Sequence, residues 1–219
     1  MLIQIADFVD SPTLDAICDI LKDDHLWSDG SSTAKGRACE VKNNLQAVRS
    51  NSLIRGLERK ITDLLLSHNI VAALAPDQVI RVLFSKYQTG MAYGSHVDAA
   101  YIDGARADLS FTLFLSDPHS YKGGELVIET SGAEDAVKLP AGSIILYPST
   151  SVHEVCPVED GERIAAIGWI KSRIKSGDHR AMLLEASKIQ ADLTTLNAPN
   201  DLKDRMANLR NNMIRTFGD

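Results

Sequence analysis

The chain has only three cysteines in 219 residues, Cys18, Cys39 and Cys156. They are odd in number, far apart and in no Cys-x-x-Cys spacing, which argues against a disulfide framework and against a zinc ribbon. No apolar run is long enough for a bilayer, since the longest uncharged helical stretch, residues 64–76, is too short and too polar. The amino end carries no basic leader and meets Asp7 early, so a secretory signal is not expected, and a cytoplasmic location is. A concentrated basic footprint is also missing: residues 171–219 hold nine Lys or Arg against six Asp or Glu, leaving 14 against 23 before them, for a net charge of −6. Neither a nucleic-acid partner nor a membrane partner is expected. There are no internal repeats, and Gly123-Gly124 lacks the lysine and helix of a phosphate loop and reads as a hairpin turn.

What is present is an ordinary globular composition with a change of character along the chain. Residues 2–9 alternate loosely as a strand, and Asp10 or Ser11 before Pro12 starts an amphipathic helix over 12–24. The polar, glycine-containing stretch 28–37 reads as a loop able to serve as a lid. A second helix spans 50–68, capped by Ser50 or Ser52, with Leu53, Leu57, Ile61, Leu64 and Leu65 on its buried stripe. From residue 79 the pattern becomes short and β-prone. Eight strands are expected over 79–87, 92–98, 108–115, 125–129, 136–139, 143–147, 152–158 and 163–171, separated by Gly, Pro and Asp-rich turns. Eight such strands predict an antiparallel sandwich or barrel, of which the jelly roll is the version that houses a metal in its mouth. The fold class is mainly β with helical flanks, and the expected organisation is supporting strand and helices over 1–78, a core over 79–172 and a helical extension over 173–219.

If 92–98 is extended, His96 and Asp98 leave on one face, so an imidazole and a carboxylate converge. His153, in another strand-like segment, can complete a facial set of two nitrogens and one oxygen, the open iron(II) site of non-haem oxygenases. Taken alone, a His-x-Asp triplet is weak. Arg163, ten residues after His153 and just past the Asp160-Gly161 turn, is expected on the next strand of the same hairpin, at the head of an inward face otherwise formed by Ala165, Ile167 and Trp169. It can pair with the far carboxylate of a dicarboxylic cosubstrate. The bland alternatives are a protein carboxylate partner or a solvent-exposed strand start. The remaining histidines, His25, His68, His119 and His179, read as surface or capping residues.

Several stretches together carry a resemblance: Tyr87-Gln88-Thr89-Gly90-Met91-Ala92-Tyr93-Gly94-Ser95-His96-Val97-Asp98, Arg106-Ala107-Asp108-Leu109-Ser110, Gly123-Gly124-Glu125-Leu126, Leu139-Pro140-Ala141-Gly142-Ser143, Tyr147-Pro148-Ser149, His153 and Arg163. In order and at this spacing they resemble the iron(II)- and 2-oxoglutarate-dependent dioxygenases of the prolyl 4-hydroxylase superfamily, and within it the bacterial PKHD-type hydroxylases. The resemblance implies a distorted double-stranded β-helix with His96, Asp98 and His153 as iron ligands and Arg163 as the 2-oxoglutarate anchor. Tyr87 looks like the tyrosine that lines the cosubstrate pocket, its alternative being a core aromatic. The implied cofactors are Fe(II), 2-oxoglutarate and O2, with ascorbate as an accessory reductant. A carboxylate at position 98 favours hydroxylation over halogenation, since halogenating relatives have a small residue there.

One departure concerns the substrate side: Ala99-Ala100-Tyr101 follows the triplet where many of these enzymes place asparagine. The expected reaction is hydroxylation of an unactivated carbon, a prolyl residue in a protein or peptide, with release of succinate and CO2. The alternatives are a free amino acid or siderophore-like small molecule, or a non-catalytic cupin-like binding module. The helical tail is expected to pack on the barrel or to serve a homodimer contact.

Overall fold

The computed structural model describes residues 1–31, 40–130 and 132–219. Most of the stretch expected as a lid, and Cys39, lie outside the described residues. In chain order the strands are β1 (Ile3–Ile5), β2 (Trp27–Asp29), β3 (Lys42–Asn43), β4 (Leu45–Ala47), β5 (Pro76–Gln88), β6 (Ala92–His96), β7 (Tyr101–Ile102) and β8 (Ala105–Arg106). They continue with β9 (Leu109–Phe114), β10 (Tyr121–Gly123), β11 (Leu126–Thr130), β12 (Ala133–Val137), β13 (Ile144–Pro148), β14 (His153–Val155) and β15 (Val158–Ser172). The α-helices are α1 (Ser11–Leu21), α2 (Ser52–Ser67), α3 (Asn69–Ala72), α4 (Gly177–Thr195) and α5 (Asn200–Phe217).

The strands form two main antiparallel sheets. The larger has the order β1-β13-β9-β15-β5-β4-β2, with β10 added alongside β15, and the smaller has the order β12-β11-β14-β6-β3. The strand β9 shows how one sequence feeds two cores, because all six of its residues are buried. Period-2 geometry sends Leu109, Phe111 and Leu113 to one face and Ser110, Thr112 and Phe114 to the other. The first set joins Ile17 and Leu21 of α1 and Ile54, Leu57, Ile61 and Leu65 of α2 in the helix-covered core. Phe114 of the second set joins Tyr87, Ile128, Ile145, Tyr147 and Val155 in the core between the sheets. The strand β15 follows the same rule, with Ile164, Ala166 and Ile170 towards the helices and Arg163, Ala165, Ile167 and Trp169 inward.

Local chemistry sets the helix ends. Asp10 caps α1 by accepting from the Thr13 N–H at 2.9 Å. The second helix is capped by Asn51, which accepts from the Leu53 N–H at 2.8 Å, and not by Ser50 or Ser52. The tail forms two helices joined across residues 196–199. It packs on the body where Ile174 and Leu183 meet Ala75 and where Met213, Ile214 and Phe217 close over them.

Two expectations of connectivity are corrected. Gly123-Gly124 is not a hairpin turn: β10 pairs with β15 in the larger sheet, whereas β11 pairs with β12 and β14 in the smaller one. The chain changes sheets there. Likewise β14 and β15 are not one hairpin, since β14 pairs with β6 and β11 while β15 pairs with β5, β9 and β10. Asp160-Gly161 lies within β15, so Arg163 stands on the sheet opposite His153.

Candidate metal centre and anion pocket

The strands β6 and β14 run antiparallel with His96 opposite His153 in register. That pairing brings the two imidazoles together, with ring centroids 4.3 Å apart and planes tilted by 50°. Asp98 lies two residues beyond the end of β6, and its Oδ2 stands 3.8 Å from Nε2 of His153. One ligand atom from each of His96, Asp98 and His153 lies within 4.8 Å of the others, a set able to hold a metal ion.

The surroundings orient each donor. Nδ1 of His96 is 2.8 Å from the Gly94 carbonyl, and Nδ1 of His153 is 3.1 Å from the Ser151 carbonyl. A carbonyl only accepts, so each bond requires the tautomer protonated at Nδ1 and leaves Nε2 bare for a metal. The Tyr93 ring stacks on His96 at 3.7 Å and 14°. Burial first, and then the neighbouring His153, push the His96 imidazole down to about 4, so it is neutral at pH 7. Ser110 Oγ donates to Asp98 Oδ2 at 2.6 Å and stands 2.8 Å from Ser149 Oγ. The single Ser110 proton goes to the carboxylate, so Ser149 donates to Ser110.

Arg163 is 1% exposed. Its guanidinium lies over the rings of Tyr87 at 5.3 Å and Phe114 at 5.4 Å, and Nε, Nη1 and Nη2 have no hydrogen-bond partner. Both bland alternatives are therefore excluded among the described residues: the side chain is neither in solvent nor paired with a protein carboxylate. The Tyr121 hydroxyl is buried beside it without a hydrogen bond of ordinary geometry, and the nearby Arg163 guanidinium acts on it against the upward push of burial. Gly124 makes room here. At φ +66°, a Cβ on it would lie 3.1 Å from Cδ of Arg163 and 3.1 Å from Cε2 of Tyr121. Tyr87 is packed in the inter-sheet core and pairs with Arg163 across the β5–β15 ladder. A buried cation costs several kcal/mol unless an anion offsets it. Its orphaned donors fit a carboxylate, as the two imidazoles and one acid fit a divalent iron.

Beside the metal site lies a cavity of about 350 Å³, whose lining includes Lys42, Gln46, Arg81, Tyr93, Asp98 and Trp169. Lys42 is 8% exposed, and burial pushes its ammonium down to about 8 against the attraction of Asp29 and Asp98. Sequence reasoning missed Lys42, Gln46, Ser110, Ser149 and Tyr121. The strands carrying the first two are two and three residues long, too short to show a period. The other four histidines stay out of the site: His68 caps α3 by accepting from the Ile70 N–H, and His179 stacks on Phe217.

The family model described as the 2OG-Fe(II) oxygenase superfamily matches residues 82–171, the span that holds the metal set and Arg163. A PKHD-type hydroxylase of Parvibaculum lavamentivorans is 39% identical over the full length of both chains. One from Prochlorococcus marinus is 46% identical over 75% of each. Among solved structures, a Pseudomonas putida prolyl-4-hydroxylase has the same fold, with a TM-score of 0.58 at 22% identity over 78% of this chain and 92% of that one. The chain belongs to the 2OG-Fe(II) oxygenases and is a relative of the PKHD-type hydroxylases over its whole length.

Proposed function

We propose that this chain hydroxylates an unactivated carbon of a prolyl residue in a protein or peptide, with release of succinate and CO2. His96, Asp98 and His153 hold the iron, Arg163 holds the far carboxylate of 2-oxoglutarate, and Tyr87 packs beside it. The observation that carries this reading is the buried guanidinium without an anion. A dicarboxylic cosubstrate supplies that anion, whereas a barrel that merely stores metal has no use for the charge. Bound together, iron(II), 2-oxoglutarate and O2 supply the oxidant, with ascorbate as an accessory reductant. The protein's own groups orient both imidazoles through their Nδ1 atoms, fix Asp98 through the Ser149–Ser110 relay and keep water from Arg163 by packing Tyr87 and Phe114 against it.

The test is incubation of the full chain with Fe(II), ascorbate, 2-oxoglutarate and a library of proline-containing peptides. Succinate together with one oxygen atom added to a prolyl residue is the expected result. Succinate coupled to oxidation of a free amino acid or siderophore-like molecule would move the substrate class. No succinate with any candidate would favour a non-catalytic binding module.

A further inference from the structure

The stretch Arg106-Ala107-Asp108 contributes no ligand to the metal set, yet charges from distant parts of the chain meet on it. Asp108, 8% exposed, stands at the entry to β9. Its carboxylate accepts from Arg106 Nε at 2.8 Å and from the Ser172 N–H at 2.9 Å. Two residues of the helical tail close over this pair. Arg180 of α4, 5% exposed, holds Nη1 3.9 Å from Asp108 Oδ1 and donates through Nη2 to the Asp108 carbonyl at 3.4 Å. The side chain of Asp219 accepts from Arg106 Nη1 at 2.9 Å. Burying a guanidinium costs solvation energy, and the apolar contact of Leu183 with Ile174 and Ala75 would dock α4 without it.

From Asp108 two short routes reach the metal set. The Ser149 N–H donates to the Asp108 carbonyl at 3.3 Å, and the Ser149 hydroxyl leads through Ser110 to Oδ2 of Asp98. The Ala107 N–H donates to the Ala100 carbonyl at 3.0 Å, which ties down the segment that carries Asp98. His96 and His153 are held by the ladder of β6 on β14, whereas Asp98 lies beyond its end and depends on contacts of this kind. We propose that Arg180 and Asp219 are positioning residues for the metal: by clamping Arg106 and Asp108 they fix the Asp98 carboxylate, which makes the helical tail part of the site. The proposal rests on His96, Asp98 and His153 being the metal ligands. Outer contacts of this type set the orientation of a ligand and hence the affinity of the ion.

The experiment is calorimetric titration of the full chain with Mn(II), followed by electron paramagnetic resonance of the bound ion. Arg180→Met is expected to lower Mn(II) affinity by about 3–30-fold, the range carried by a network of contacts, and to change the resonance line shape because one ligand of three shifts. Arg180→Lys, which keeps the charge without the planar fork, should recover part of the loss. Asp219→Ala should lower the affinity by about 2–3-fold. Because the Asp219 side chain is 56% exposed, this variant decides the question even where Arg180→Met does not fold. The control is Arg210→Ala, which breaks the 2.9 Å bond from Arg210 Nε to Ser187 Oγ between the two tail helices, away from Asp108. It should lower the thermal midpoint and leave both the Mn(II) affinity and the line shape as in the parent protein. Parent-like affinity and line shape in the Arg180→Met and Asp219→Ala proteins would overturn the proposal, and so would an equal loss of affinity in Arg210→Ala. A parent chain that binds no Mn(II) would strike the reading of the metal ligands as well, whereas unchanged variants of a chain that binds it strike the role of the tail alone.

Discussion

At the scale of single residues, the molecule buries charge, and each buried charge makes a prediction. Arg163 is buried without an anion, so removing the cation should relieve the empty protein while disabling the anchor. Arg163→Met is expected to raise the thermal midpoint of the ligand-free protein, in line with the roughly 1–4 kcal/mol seen when buried charges are replaced by apolar groups. The same variant should lose 2-oxoglutarate binding by calorimetry. A loss of both stability and binding would mean that the side chain is held by partners of its own. Ser110 holds the Asp98 carboxylate, and Ser110→Ala should weaken Mn(II) affinity by about 10–100-fold while leaving the far-ultraviolet spectrum unchanged. Lys42 ties stability to pH. Its folded pKa is about 8, below the ordinary 10.5. The folded protein therefore bears the full cost of the buried cation below pH 8, and that cost fades between 8 and 10.5, where the unfolded chain alone keeps the proton. Stability should rise across that window, and Lys42→Met should flatten the rise when chemical denaturation is followed from pH 7 to pH 10.5.

At the scale of elements, two strands from each sheet set the site. The register of β6 on β14 brings the histidines together, and the ladder of β15 on β5 puts Arg163 beside Tyr87. Gly124 sits where the chain leaves the larger sheet for the smaller, and it combines a left-handed backbone with close contact to the Arg163 stem. Gly124→Ala is expected to cost about 1–3 kcal/mol by urea denaturation, because both the φ and the contact oppose a methyl group. It should also lower 2-oxoglutarate affinity, a loss that backbone strain remote from the anchor would not produce. The hairpin β7–β8 borders the cavity at Tyr101 and Ile102, and Asp103 at its turn ties down Arg81, so this short element shapes the mouth of that cavity.

At the scale of the whole molecule, two sheets face each other across a largely apolar core that also buries polar groups, Arg163 among them, without a hydrogen-bond partner among the described residues. Ligands that enter it should stabilise the fold by mass action. With Mn(II) and 2-oxoglutarate each at about 100 times its Kd, roughly 2.7 kcal/mol per independent ligand is expected, read as a rise in the thermal midpoint that Arg163→Met loses for 2-oxoglutarate and keeps for Mn(II). The long strands and helices were legible because β9, β15 and α2 repeat their pattern over enough residues for a period to emerge. The grouping of His96, Asp98 and His153 and the inward place of Arg163 were legible because the motifs that carry the resemblance have a fixed spacing. The strands β2, β3 and β4 were not, being two or three residues long, and with them Lys42 and Gln46 were missed. By itself the sequence determined which side chains alternate inward and which donor types the chain can offer, since those follow from backbone periodicity and chemical identity. Only the tertiary structure decided that His153 and Arg163 stand on opposite sheets, that Arg163 has no protein anion among the described residues, and that Lys42, Gln46 and Trp169 line one cavity. Those facts depend on which strands pair across long separations in the chain, and a local pattern holds no record of its distant partner.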